Sequence, residues 1–533
     1  MDIVPKQIDR IGTSNNGAFC FDDCIATYAG YIGRSYEMMY GNCWSFSLIP
    51  GRMNDTTSLV EIMNTDRNES YRLLEKLHGI KLKREKLLES SKAKSYILEE
   101  LEAGRPTVFI TDAFWCPWDP VFQKYHNIHA FLIVGFDETN NSFICVDSYF
   151  LKCNSVLPME CFINGYKGIY SFEALPEPVV INYEEVIRDH AKSLLSGCSG
   201  ENHFELMRSF GSELMNIDIK RQLEDSGEFW LCPIFQVFNY IISTRVLYAN
   251  ALKYIADKSN IKYVAEILES FLLVIEKWNV AKGMLIKSFS LNNTHTEVVR
   301  KLSDTIIELA KEEEGLALDI TKANIDQLNI KASIKDNKVS RQDIINYSCN
   351  DYVFIDLSGY LNNKGFDTYP PKSPMSDFTS YGHYFIREED FIRDTWNVGD
   401  MLFKVHIDPN ETYDNVSCMG QEISVPEGYY GRIRIMGCSE YGSYTDKVGI
   451  YTTGGNVYSI PITFYEWCDN SNKDILAWKG RIAHKKENEV LIIDQEHKIY
   501  AKEFVLSYNE KINKIKLPEC PNLHLFAISM LKS

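Results

Sequence analysis

The sequence predicts an α+β protein that ends in an antiparallel β-sandwich. Three observations carry this. Residues 1–175 mix helical periodicity with short β-branched and aromatic runs, residues 183 to about 330 space apolar positions three and four apart over many turns, and the remainder breaks into short strands divided by Gly, Asn and Asp turns. At 533 residues the chain exceeds one core and should divide into about three domains. The expected bounds are 1–175, a helical domain at 176–335, and a sandwich at 336–533.

In the first region "CIATYAGYIG" and "TSLVEIMNTDRNESYRLLEKLHGI" read as helices, and "PTVFITDAF", "HAFLIVGF" and "SFICVDSYF" as strands. "KLKREK" at 81–86 reads as a solvated helix face, or else as a docking patch for an acidic partner. "LPEPVV" at 175–180 is a Pro-marked break, after which the long helical pattern begins. "KASIKDNKVSRQD" at 331–343 has the polar composition of a linker. Beyond it come "YVFIDLS", "MLFKVHI", "EISVPEGYYGRIRIMG", "KVGIYTTGGNVYSIPITFYEW" and "KIYAKEFVLSY", with "TTGGNV" as a hairpin turn.

Acidic residues outnumber basic ones 73 to 56, a net charge of −17, which disfavours nucleic acid as a partner. The N-terminal residues lack the apolar core of a signal peptide, and no run of about 18 apolar residues predicts a membrane span. The fourteen cysteines show no CxxC and no zinc-finger spacing, so no metal is expected and a reduced, cytoplasmic location fits. No GxxxxGK[ST] cradle for a nucleotide occurs, and no cofactor is expected.

Chemistry is most concentrated in the first region. A cysteine nucleophile needs a base and a group to orient that base. "NIHAFLIVGFDETNNSFICVDSYF" offers His129 and Asp147 on two strands of one hairpin. If the hairpin turns around Thr139, paired positions sum to about 278, which sets Tyr149 opposite His129 and makes Asp147 its diagonal neighbour on the same face. Cys24, in "FDDCIATYAG", is read as the first turn of a helix whose dipole favours thiolate, with Asp22 or Asp23 as cap. Cys20, further upstream, is the competing thiol. His126, Trp115 and Trp118, with Pro117, are the expected substrate-binding wall. The alternatives for these residues are a core cysteine, ordinary aromatic packing and a solvent-facing histidine.

"DDCIATYAGYIGRSYEMMYG" and "GRPTVFITDAFWCPWDPVFQKYHNIHAFLIVGFDETNNSFICVDS" resemble the N-terminal domain of butirosin biosynthesis protein H. The resemblance spans roughly 15–300 and implies a papain-like fold with Cys, His and Asp arranged as in C39-type peptidases. By position it makes Cys24 the nucleophile, His129 the base and Asp147 the orienter. It implies acyl transfer from a carrier-protein thioester, carried on phosphopantetheine, to a small amine in natural-product biosynthesis. One departure stands out: Ala18 lies where papain-like peptidases carry an oxyanion-hole glutamine. "YDNVSCMGQEISVPEGYYGRIRIMGCSEYGSY" and "GNVYSIPITFYEW" resemble galactose-binding-type sandwiches, a module that binds sugar, shapes the active-site entrance or holds a homodimer. The rival functions are a cysteine hydrolase with the same triad and a non-catalytic carbohydrate- or partner-binding protein.

Overall fold

The computed structural model describes residues 8, 11–13, 19–46, 67–86, 89–176, 182–196, 202–216, 232–259, 262–290, 295–322, 352–387, 395–407, 412–469, 474–485 and 489–532. The 331–343 linker and Ala18 lie outside the described residues. The chain gathers into two compact units. One comprises 1–207, 239–275 and 310–328; the other comprises 208–238, 276–309 and 329–533. The helical stretch, expected as a domain of its own, is shared between them. Its three long helices, α7 (Pro233–Ser259), α8 (Lys262–Ser290) and α9 (His295–Lys322), each run 27 to 29 residues. At 1.5 Å per residue that is about 40 Å, more than one small core covers.

The N-terminal unit is papain-like α+β. Helix α1 (Cys20–Tyr31) precedes α2 (Asn68–His78), β1 (Ile80–Glu85), α3 (Ser90–Glu102), β2 (Thr107–Asp112), β3 (Ile128–Asp137), β4 (Ser142–Asp147), β5 (Lys152–Pro158), α4 (Met159–Gly165), β6 (Tyr166–Ala174), α5 (Tyr183–Ser196) and α6 (His203–Glu213). The strands form one six-stranded sheet in the order β1-β6-β2-β3-β4-β5, with every pairing antiparallel. "KLKREK" is therefore not a helix face. Its first five residues belong to edge strand β1, where lysines discourage pairing with another chain. Helix α2 ends at Gly79, whose φ of 63° is the left-handed cap that Gly adopts without strain.

Helix α1 is buried over Asp22–Ala29, and Tyr28 stacks on Phe172 of β6 at 4.0 Å. Deep in the same unit, Glu313 accepts from Trp44 Nε1 at 2.6 Å and from Arg245 Nε and Nη2 at 2.7 Å each.

The second unit holds the β-sandwich. An eight-stranded sheet runs β12 (Val416–Ser417), β20 (Leu523–Lys532), β14 (Tyr430–Ser439), β18 (Val490–Val505), β17 (Ile475–Lys485), β9 (His383–Ile386), β8 (Phe366–Asp367), with β7 (Tyr352–Phe354) also on β20. A four-stranded sheet runs β13 (Glu422–Gly428), β19 (Ile512–Lys516), β15 (Tyr444–Thr452), β16 (Val457–Phe464), and β10 (Thr395–Val398) pairs β11 (Met401–Lys404). The β15–β16 hairpin turns through the expected "TTGGNV" segment. Trp467 is buried among Phe378, Phe385 and His497 rather than presented on a surface. Among the described residues no helix is long and apolar enough to cross a membrane.

Candidate active site

The β3–β4 hairpin brings His129 and Asp147 together. Leu132 pairs with Val146 and Ile133 with Cys145, both summing to 278, so this register carries the ladder towards the His129 end. His129 opens β3 and Asp147 closes β4. The His129 ring Nε2 lies 2.7 Å from Asp147 Oδ2, with His129 4% exposed and Asp147 fully buried. Asp147 Oδ2 also accepts from Trp118 Nε1 at 2.7 Å, and Oδ1 accepts from the backbone N–H of Phe150. Three donors thus fix one carboxylate, and the carboxylate fixes the imidazole. Phe150 and Tyr149 close on the ring from centroid distances of 5.2 and 5.9 Å.

The thiol that acts on this imidazole belongs to Cys20, the first residue of α1, which together with Asp147 raises the His129 protonation. Cys24, the expected nucleophile, sits one turn further along the helix. Helix α1 starts one turn earlier than the aspartates suggested, so Cys20 is its first residue and Cys24 its fifth. The unsatisfied N–H groups and the positive end of the dipole belong to the first turn, and therefore to Cys20. The Cys24 thiol is buried and donates to the Cys20 carbonyl at 3.3 Å. Burial pushes its ionisation far up, and the neighbouring charges of Cys20, Asp147, Asp23 and Asp22 push it further. Cys24 stays a protonated core thiol.

His129 is held protonated. Burial works against its charge, but the hydrogen bonds to Asp147 and Cys20, with their negative charges, win and raise it to about 10. Cys20 itself is partly exposed at the helix start. Asp22 is not a cap; it is buried and pairs with Arg67 at 3.1 Å. Burial raises its ionisation, and Arg67 opposes the rise.

The remaining expected site residues separate. Trp118 touches the Asp147 carboxylate. Trp115 packs edge-on to Phe114, and its Cβ would be 3.0 Å from a Cβ built on Gly165, so α4 can press against this turn only because residue 165 is Gly. His126 stacks on Phe114 at 4.5 Å and holds Asp112 through Nδ1 at 2.8 Å, with its side chain 71% exposed. Neither is brought onto the His129–Asp147 pair. Among the described residues no group of three or more His, Cys, Asp or Glu is placed to hold a metal ion.

Two regions of the chain match known families. Residues 25–148 match butirosin biosynthesis protein H, N-terminal. That span opens just after Cys24 and closes just after Asp147, so it takes in His129 and Asp147 and neither cysteine. Residues 362–533 match the AziU2-like beta-sandwich domain. The C-terminal β-sandwich expected from the sequence is thus matched as a β-sandwich domain. No curated protein matches the chain. The butirosin-H-type match points to a papain-like biosynthetic enzyme.

Proposed function

We propose that the chain is a cysteine acyltransferase that moves an acyl group from a carrier-protein thioester to an amine, with Cys20 as nucleophile, His129 as acid and base, and Asp147 as orienter. One observation carries the reading: Cys20, first residue of α1, shares His129 with the fully buried Asp147. The Cys20 thiolate attacks the thioester carbonyl and a carbon–sulfur bond forms. The oxyanion is met by the free N–H groups of the α1 start. Collapse breaks the bond to the pantetheine sulfur, which leaves with the proton of His129. Acylation removes the sulfur anion that helped hold that proton, so His129 is now a neutral base. It takes a proton from the incoming amine as the carbon–nitrogen bond forms. Cys20 departs as thiolate, and the imidazolium is restored. The thioester supplies the driving force, so no nucleotide enters the step.

The test is incubation with an acyl-loaded carrier protein, first without amine and then with a panel of diamines and amino sugars. The acyl mass should appear on the peptide bearing Cys20 and discharge as amide. Rapid hydrolysis with no capture by any amine would replace transferase with thioesterase. Acyl mass on Cys24 would return the nucleophile to that residue.

A further inference from the structure

The far end of α1 borders a cleft of about 550 Å³ in the same unit, lined by α1, β1, β6 and α3. Tyr28, Tyr31, Tyr96 and Phe172 supply aromatic walls. Tyr28 is 3% exposed, and its hydroxyl has no hydrogen-bond partner among the described residues although the residue lines the cleft.

The charges of the lining do not cancel. Arg105 is bound bidentately by Glu100 at 2.7 Å, and Lys83 is paired with Glu173. Arg34, which acts electrostatically on Tyr28, donates to the carbonyls of His78 and Gly79. That leaves Glu85. Its Oε1 accepts from Tyr96 at 2.9 Å and from Ser171 at 2.6 Å, two neutral hydroxyls that fix the carboxylate without neutralising it. The cleft also faces the C-terminal end of α1, the negative end of its dipole, and the last turn of that helix carries no basic residue. A fixed carboxylate, tyrosine faces and a helix C-terminus all attract the same kind of group, a cation. The unpartnered Tyr28 hydroxyl adds an acceptor for its N–H.

We propose that this cleft is a binding site for an alkylammonium group, held by Glu85 and enclosed by Tyr28, Tyr31 and Tyr96. Tyr28 is eight residues along α1 from Cys20, about 12 Å at 1.5 Å per residue. The site is therefore separate from the thiol, and the inference does not depend on the acyl-transfer reading.

Calorimetric titration of the full chain with putrescine, with butane-1,4-diol as uncharged control, tests it. Putrescine should bind saturably and the diol should not. Glu85→Gln should weaken putrescine by about tenfold or more, the loss of one charge-assisted contact. Tyr31→Ala, at an exposed position, should weaken it severalfold with folding intact, and it decides the matter if Glu85→Gln does not fold. Cys20→Ser should bind as the wild type does. No saturable heat, equal affinity in the folded Glu85 and Tyr31 variants, or binding lost only in Cys20→Ser would overturn the proposal.

Discussion

His129 Nε2 and Asp147 Oδ2 are 2.7 Å apart at the end of one hairpin, and that carboxylate oxygen also accepts from Trp118. The pair is almost sealed from water. The cost of burying the imidazolium is met chiefly by Asp147 on one ring nitrogen, with Cys20 acting on the ring as well. A base in that state is a proton donor first, suited to releasing a thiol leaving group before it accepts a proton from an amine.

The first prediction separates the two cysteines of α1. Cys20→Ala should reduce acyl transfer by about a thousandfold or more, because nothing replaces the nucleophile. Cys24→Ala should keep most activity and cost about 1 kcal/mol of stability, since it removes one buried sulfur. Mass spectrometry after brief iodoacetamide treatment near neutral pH should find the label on Cys20. Label on Cys24, or equal loss of activity in both variants, would reverse the assignment.

A second prediction follows from the proton on His129. Its folded value, about 10, lies above the ordinary 6.5, so the proton stabilises the fold fully below about pH 6.5. That contribution fades as pH rises and is lost on passing through about 10. The stability gap between wild type and His129→Gln, from urea midpoints, should therefore narrow from pH 7 to pH 10. Asp147→Asn should bring the histidine titration down towards its ordinary range, read by NMR of the ring protons. It should lower activity less than His129→Ala does, because the imidazole remains. A gap that widens with pH would contradict the charge assignment.

The hairpin was legible because it is local: turn residues and alternating apolar positions set its register, and the 278 sum holds up to Ile133. Between Ile133 and Gly135 a bulge shifts the sum to 279, a slip on the turn side that leaves His129 and Asp147 undisturbed. The helix start was not legible. Its N-cap is Phe19, which has no capping side chain, while Asp22 and Asp23 imitate a cap one turn later. Strand β1 was misread because "KLKREK" has almost no apolar alternation, which an exposed edge strand does not need. Strand β20 gave no period because it is buried on both faces from Leu523 to Leu531. Trp118 was marked for its aromatic ring, but its indole N–H is what binds the site.

Trp118 is the third prediction. Trp118→Phe keeps a ring against Phe131 but removes one of the three donors to Asp147. A hydrogen bond to a charged group contributes about 1.5–3 kcal/mol, so the rate of acyl loading should fall about ten- to a hundredfold. If Trp118 acts by holding the carboxylate, the loss is in kcat and spares the amine KM. A rise in amine KM with unchanged kcat would make Trp118 an acceptor-binding wall instead.

The last prediction concerns Glu313, which is fully buried and carries three hydrogen bonds from Arg245 and Trp44. Arg245 is likewise fully buried and gives further bonds to the carbonyls of Ile241 and Ser45. The attraction within such a pair is large, but so is the cost of removing both charges from water, and the net is often near zero. Removing one partner is a different matter. Glu313→Ala leaves a guanidinium buried without its counter-ion and should cost about 3–5 kcal/mol. Arg245→Met with Glu313→Leu removes both charges, fills similar volume and should recover most of that loss, apart from the indole N–H of Trp44, which then lacks an acceptor. Urea midpoints of the single and double variants measure the difference. A double variant no more stable than Glu313→Ala would mean that the network contributes through its hydrogen bonds rather than through the balance of two buried charges.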